Sequence, residues 1–90
     1  MKIILKVAKI DKPIFNIEVD DKNFLFVRKL LEVERRKIID KFRSYKSAGL
    51  IGSIFYPRNK YLQNELNDLV KRKRTITKSI ETINEFFIKS

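Results

Sequence analysis

Hydrophobic and polar residues alternate near the start of the chain, which is the pattern of a half-buried β-strand. Phe15, Ile17 and Val19 are each followed by a polar residue. The apolar runs at 2–10 and 14–19 predict two strands, and the Asp-Lys-Pro segment between them supplies turn chemistry. We therefore expect a β-hairpin over residues 1–21. Two strands alone are marginally stable in water, so their apolar face must pack on helices, while their outer edges stay open to another chain.

From residue 22 the period changes to that of an amphipathic helix, which we expect over 22–47. Asp21 and Asn23 are the candidate N-caps. Gly49 and Gly52 are the stop signals that follow. The apolar stripe of this helix consists of Phe24, Val27, Leu31, Ile38, Phe42 and Tyr45.

A second long helix is predicted over 58–89, after a connector at 48–57. Its apolar positions alternate in steps of four and three, which is the heptad spacing of a coiled coil. They are Leu62, Leu66, Leu69, Lys73, Ile76, Ile80, Ile83 and Phe87, so Lys73 is the one polar residue in the seam. A lysine here can set the register of the helix pair, or its long stem can reach outward to solvent.

Together these elements predict one α+β domain over residues 1–90, with the N-terminal β-hairpin packed on a long antiparallel, coiled-coil-like helical hairpin. The 43% of hydrophobic residues is enough for a core. With the bend centred near Gly52, Arg35 is expected beside Val70 and Leu31 beside Arg74.

Histidine and cysteine are both absent from the sequence. This excludes a disulfide framework, thiol chemistry and the usual zinc ligands, and it removes the commonest catalytic bases and nucleophiles. Three carboxylates at 18–21 are compatible with a magnesium-dependent nuclease. At a junction between strand and helix, however, carboxylates usually form caps and turns. We therefore expect no enzyme, no cofactor and no metal site.

The apolar runs are too short to span a membrane. Lys6 and Lys9 interrupt the N-terminal apolar stretch that a signal peptide would need. We expect a soluble, cytoplasmic protein that is not secreted. Binding to an anionic membrane surface is an alternative, but the apolar faces of the helices are expected to pack on each other.

The formal net charge is +10, and it is unevenly distributed. The first 21 residues hold four lysines and four acids, so all of the excess positive charge follows them. Such a field attracts polyanions, although each single cation can equally be a solvated surface residue. The run at 71–74 also fits a nuclear localisation signal by composition, but it lies inside a helix, where such a signal is poorly accessible.

The basic runs at 35–37 and 71–74 should meet at the middle of the helical hairpin and form a basic belt. Fixed positive charges of this kind suit phosphate oxygens. The residues expected to contact nucleic acid are Arg28, Arg35, Arg36, Lys37, Arg43, Arg58, Lys60, Lys71, Arg72, Lys73, Arg74 and Lys78.

The connector is unusually apolar for a surface segment. It contains Leu50, Ile51, Ile54, Phe55 and Tyr56. These residues can cap the end of the helical hairpin as a small core, or they can form a docking surface for a partner protein. Tyr56, beside Arg58 and Lys60, can also stack on a base.

The sequence thus predicts a small basic protein that binds nucleic acid, DNA rather than RNA, through phosphate contacts and without sequence specificity. Motifs for base recognition, such as a recognition helix, an RNA-binding sheet or a zinc finger, are not recognisable. The alternative is a non-catalytic accessory subunit or inhibitor that docks on a larger nucleic-acid-processing protein, such as a DNA polymerase or a protein of repair or transcription. A homodimer is compatible with either function.

Overall fold

A computed structural model of the chain describes residues 1–49 and 60–88. The elements are β1 (Lys2–Lys9), β2 (Lys12–Asp20), α1 (Phe24–Ser47) and α2 (Lys60–Ile83), followed by a π-helical turn over Asn84–Ile88. The predicted α+β architecture is confirmed, with an antiparallel hairpin packed against two helices that contact each other. The second helix continues to Ile88 within the described residues, but its last turn, over Asn84–Ile88, widens from an α-helix to a π-helix.

The two strands form a hairpin with a tighter turn than the sequence suggested. They pair antiparallel, with Val7 opposite Phe15, and the register then shifts so that Lys9 lies opposite Lys12. One extra residue on β2 therefore forms a bulge, and Pro13 lies within it. Proline has no N–H to give to a ladder, and bulges are among the few places in a sheet that accept it.

The core joins one face of the hairpin to the apolar stripes of both helices. The seam of α2 is buried against the sheet as well as against α1, so the helical pair is not a free-standing coiled coil. Lys73 is exposed, as its polar character at a seam position allowed. The buried apolar residues are Leu5, Val7, Ala8, Val19, Val27, Leu31, Ile38, Leu69, Ile76, Ile80 and Ile83. Full burial of each large aliphatic side chain contributes about 1.5–3 kcal/mol.

Helix α2 covers the outer edge of β1. The hydroxyl of Ser79 donates to the carbonyl of Lys6, and Arg72 Nη1 donates to the carbonyl of Lys9 at 2.8 Å. The two donors are seven residues apart and so lie on one face of α2. The expectation that both edges of the hairpin are open is therefore wrong for β1. Strand β2 has β1 as its one neighbour in the described part of the sheet.

The junction between β2 and α1 is held by a reciprocal pair of polar residues. Asn23 Oδ1 accepts the N–H of Asp20 at 2.8 Å, and Asp20 Oδ1 accepts the N–H of Asn23 at 3.0 Å. Asn23 is the N-cap residue by position, but its side chain bonds to the strand and not to the helix. The other two carboxylates of 18–21 pair with cations, Glu18 with Lys2 and Asp21 with the amino group of Met1. These carboxylates act as turn formers and ion-pair partners.

Gly49 ends α1 as predicted. Its φ of +75° lies in the left-handed region, which residues with a Cβ rarely adopt. Its N–H donates to the carbonyl of Lys46 at 3.1 Å and so satisfies one of the last helical acceptors. Gly52 and the start predicted for the second helix lie outside the described residues.

The two helices are about one and a half turns out of the register that the sequence suggested. Near one end Phe24 stacks on Phe87 with ring centroids 5.0 Å apart. Near the other end Tyr45 donates a hydrogen bond to Glu65. These pairs place Arg35 about one and a half turns further toward the C-terminus of α2 than predicted. The basic runs still lie at neighbouring levels.

Lys41, Tyr45 and Glu65 form a cluster that joins α1 to α2. Lys41 Nζ lies 2.8 Å from Glu65 Oε1, and the Tyr45 hydroxyl donates to the same oxygen at 2.8 Å. The hydrogen bond from Lys41, and next that from Tyr45, lowers the pKa of Glu65. Burial, and next the bond to Glu65, raises the pKa of Tyr45. The bond to Glu65 also raises the pKa of Lys41.

We expect the stabilisation from this cluster to disappear in acid. The lowered pKa of Glu65 means that its contribution is present above the unfolded pKa and is lost as pH falls through the folded pKa. The raised pKa values of Tyr45 and Lys41 have the opposite sign, so their contributions are lost at high pH. The difference in free energy of unfolding between the wild type and Glu65→Gln, from urea denaturation, should therefore shrink from pH 7 to pH 3. A constant difference would contradict this role.

Candidate nucleic-acid interface

A groove runs between α1 and α2 on the flank opposite the sheet. The sheet side of the helical pair is marked by Arg72 and Ser79 on α2 and by Glu34 on α1, which all bond to β1 or to the hairpin turn. We call the opposite flank the helical groove. It is lined by Ile39, Phe42, Arg43 and Lys46 from α1, and by Val70, Lys73, Arg74, Thr77, Lys78 and Glu81 from α2.

The helical groove combines an apolar floor with a basic rim. Phe42 is half-buried and packs against the core, and Val70 is 38% exposed beside it. Five cations and one acid, Glu81, share the lining, and all six are exposed. The five groove cations are Arg43, Lys46, Lys73, Arg74 and Lys78. An occupant with regularly spaced negative charges and flat apolar parts fits this lining.

The groove cations form no ion pair with an acid among the described residues. Within residues 1–49 and 60–88, ion pairs join Lys2, Arg28, Lys37, Lys41 and Arg72 to acids. None of these pairs includes a groove cation. Glu81 is the one acid in the lining within the described part of the chain, so the groove keeps a net positive charge.

A second basic surface adjoins the groove on α1. It is lined by Lys29, Glu32, Val33, Arg35, Arg36, Lys37 and Ile39. Ile39 belongs to both linings, so the two surfaces are continuous. Lys37 is turned away from this surface in part, because its Nζ lies 3.3 Å from Glu34 Oε1. The predicted belt thus corresponds to the helical groove together with this extension along α1.

The remaining predicted contact residues have other positions. Arg28 is 3.8 Å from Glu32 and donates to Asn84 at 3.3 Å, which ties the ends of the helices together. Lys71 and Lys60 are exposed on α2 outside the groove lining. Arg58 lies outside the described residues. The same is true of the predicted docking residues Leu50, Ile51, Ile54, Phe55 and Tyr56.

Arg72 is committed to the fold. Its side chain is only 15% exposed, its Nε lies 2.6 Å from Asp68, and it also bonds to the carbonyl of Lys9. A phosphate contact would require these bonds to break. The sequence pattern placed Arg72 beside the seam but could not show which flank it occupied.

We expect Arg72→Ala to affect stability and Arg74→Ala to affect DNA binding. Loss of Arg72 leaves the carbonyl of Lys9 without its donor and should lower the free energy of unfolding by about 1–3 kcal/mol. The salt dependence of DNA binding should not change. Arg74→Ala should leave stability within about 0.5 kcal/mol and reduce the slope of log K against log salt by about one. Urea denaturation and fluorescence anisotropy with labelled duplex check both, and equal effects of the two variants would contradict the assignment.

Glu34 is the residue whose role the sequence did not reveal. It precedes the basic run at 35–37 and pairs with Lys37 of that run, yet its side chain is only 6% exposed. Glu34 Oε2 accepts the N–H of Ile10 at 3.1 Å, which fixes the hairpin turn to α1. Its position three residues after Leu31 and four before Ile38, inside the apolar stripe, was the available signal.

Comparisons of the chain with family models, with curated proteins and with solved structures found no match. Among the described helices, none is both long and apolar enough to cross a membrane.

Proposed function

We propose that this protein binds nucleic acid, DNA in preference to RNA, by contacts between phosphates and the cations of the helical groove. The observation that carries the proposal is the set of five groove cations without acidic partners above an apolar floor. Like charges held close together repel each other and destabilise the fold. A bound polyanion offsets this repulsion and releases its own counterions, which favours binding.

The spacing of the cations on α2 fits a phosphate backbone. Lys78 lies five residues after Lys73, a rise of about 7.5 Å along the helix, and Arg74 lies between them. One DNA strand presents about two phosphates over that length. With Arg43 and Lys46 on the facing helix, the groove provides up to about five phosphate contacts.

Binding without base specificity is consistent with the chemistry of the groove. Asparagine and glutamine, which bond to adenine in two places, are not among the residues that line it in the described part of the chain. Contacts to phosphates position a protein on DNA but carry no sequence information. We therefore expect similar affinities for duplexes of different sequence.

The test is the salt dependence of binding of the wild-type chain to a labelled duplex. Five phosphate contacts predict a slope of log K against log salt of about −4.5. Two duplexes of unrelated sequence should give the same slope and affinities within a few-fold of each other. A slope near zero, or no binding at 50 mM salt, would overturn the proposal.

A further inference from the structure

Strand β2 has an outer edge whose hydrogen-bonding groups can be assigned from the register. Ser79 bonds to the carbonyl of Lys6 from outside the sheet, so that carbonyl points away from β2. Lys6 lies directly opposite Asn16. In an antiparallel ladder, opposite residues either both bond to each other or both point outward. The N–H and C=O of Asn16 therefore point to the outer edge of β2.

Only part of this edge is occupied. After Asn16, the residues of β2 whose N–H and C=O point to the outer edge are Glu18 and Asp20. The Glu18 carbonyl accepts Asn23 Nδ2 at 3.1 Å, and the Asp20 N–H donates to Asn23 Oδ1. The side chain of Asn23 thus caps the end of the edge. Within residues 1–49 and 60–88 no bond is made by the outward N–H of Glu18 or by the N–H and C=O of Asn16. These groups form a short open window centred on Asn16.

We propose that a second copy of this chain binds at this window, with the two β2 strands antiparallel and Asn16 opposite Asn16 of the second copy. Each Asn16 N–H then donates to the Asn16 carbonyl of the other copy, and each Glu18 N–H donates to the Ile14 carbonyl of the other copy. The two hairpins become one four-stranded sheet. Phe15, which is 37% exposed, comes to lie opposite Ile17 of the second copy on the face toward the helices.

The distribution of charge along β2 favours a second copy of this chain as the partner at the window. The strand is positive at its start, at Lys12, and negative at its end, at Glu18 and Asp20. Antiparallel pairing with itself brings opposite charges together. The hairpin region up to residue 21 also has no net charge, whereas the rest of the chain carries the whole excess of ten. Two copies that meet through their helices would repel each other, and two that meet through this edge would not.

Two apolar residues of α1 lie near the hairpin side of that helix. Phe26 and Leu30 precede Glu34 by two turns and one turn, so they lie near the side of α1 that carries the bond to the hairpin turn. Phe26 is 72% exposed. When Asn16 pairs with Asn16 of the second copy in antiparallel strands, the two copies are related by a two-fold axis perpendicular to the sheet. All four helices of the dimer therefore lie on the same side of the sheet. Both helical grooves then open on the same face of the dimer.

The test is the mass of the full chain in sedimentation equilibrium without nucleic acid, so that its outcome does not depend on DNA binding. The wild type should have twice the 10.8 kDa mass of one chain. Asn16→Lys and Asn16→Glu each place like charges opposite one another and should each sediment as monomers. An equimolar mixture of the two variants should restore the dimer mass, because lysine then faces glutamate.

Asn16→Pro provides a second, independent variant. Proline removes the N–H of residue 16, which points to the outer edge and not to β1. The hairpin therefore keeps its own hydrogen bonds, and proline is tolerated at such an edge. Dimerisation should be lost, because it depends on that N–H. Circular dichroism confirms that each variant is folded. A monomeric wild type would overturn the proposal. A dimer that persists in Asn16→Lys would also overturn it. A mixture of the two charge variants that stays monomeric would overturn it as well, and is the result expected if the window accepts a strand of another protein.

Discussion

Replacement of Lys73, Arg74 and Lys78 by alanine is expected to weaken binding to duplex DNA by on the order of 100-fold at 0.1 M salt. Each removed cation gives up one phosphate contact and the counterion release that accompanies it. The slope of log K against log salt should therefore become less steep by about 2.7. Fluorescence anisotropy titrations at several salt concentrations measure both quantities. The three side chains are exposed, so the free energy of unfolding should change little.

The matched control is the triple variant Lys6→Ala, Lys12→Ala and Lys22→Ala. These three lysines are also exposed and form no ion pair within the described residues, and their loss lowers the net charge by the same three units. Lys6 and Lys12 lie on the hairpin and Lys22 lies in the turn before α1, and none of the three lines the helical groove. We expect the control to retain the wild-type slope. Equal losses in both triple variants would show that net charge alone, and not the groove, attracts DNA.

Glu34→Ala should produce the largest loss of stability among the polar residues of α1. Without the carboxylate, the part-buried N–H of Ile10 has no acceptor, and an unsatisfied buried donor costs about 1–3 kcal/mol. The ion pair with Lys37 is lost as well. We expect the free energy of unfolding, from urea denaturation followed by circular dichroism, to fall by about 2–3 kcal/mol.

Two variants separate the hydrogen bond of Glu34 from its charge. Glu34→Gln keeps a carbonyl oxygen for the N–H of Ile10 and should lose less than half as much stability as the alanine variant. Asp40→Ala removes an exposed acid of α1 and should change stability by less than about 0.5 kcal/mol. If the glutamine variant were as unstable as the alanine variant, the ion pair with Lys37 would be the dominant interaction.

The fold could be predicted from the sequence because apolar residues recur with the period of a strand in the hairpin and with the period of a helix in α1 and α2. The alternation in β2 and the stripes of both helices correctly identified the faces that pack on the core, although Phe15 at one end of the β2 face is 37% exposed. The glycine at 49 correctly marked the end of α1. The register between the helices could not be predicted, because it depends on the path between them and on pairs such as Phe24 and Phe87. Sequence spacing says which face is apolar but not how far one helix slides along another.

The candidate site was predictable in composition but not in detail. Clustering of basic residues indicated a positive surface, and Arg43, Lys73, Arg74 and Lys78 do line one groove. The pattern could not show that Arg72 would bond to a strand carbonyl, because that bond depends on where β1 lies. Lys46 was missed for a related reason, since it lies in the last turn of α1 and outside the basic runs.

The central claim is that nucleic acid occupies the helical groove, and a titration of the isotopically labelled chain with a short duplex, followed by two-dimensional NMR, tests it most directly. The largest shifts of backbone amide signals should fall on residues 39–46 and 70–78, with smaller shifts along 29–36. Signals from the outer face of the hairpin, around Lys6 and Asn16, should stay unchanged. Shifts that concentrate on the hairpin, or that spread evenly over the whole surface, would contradict the claim.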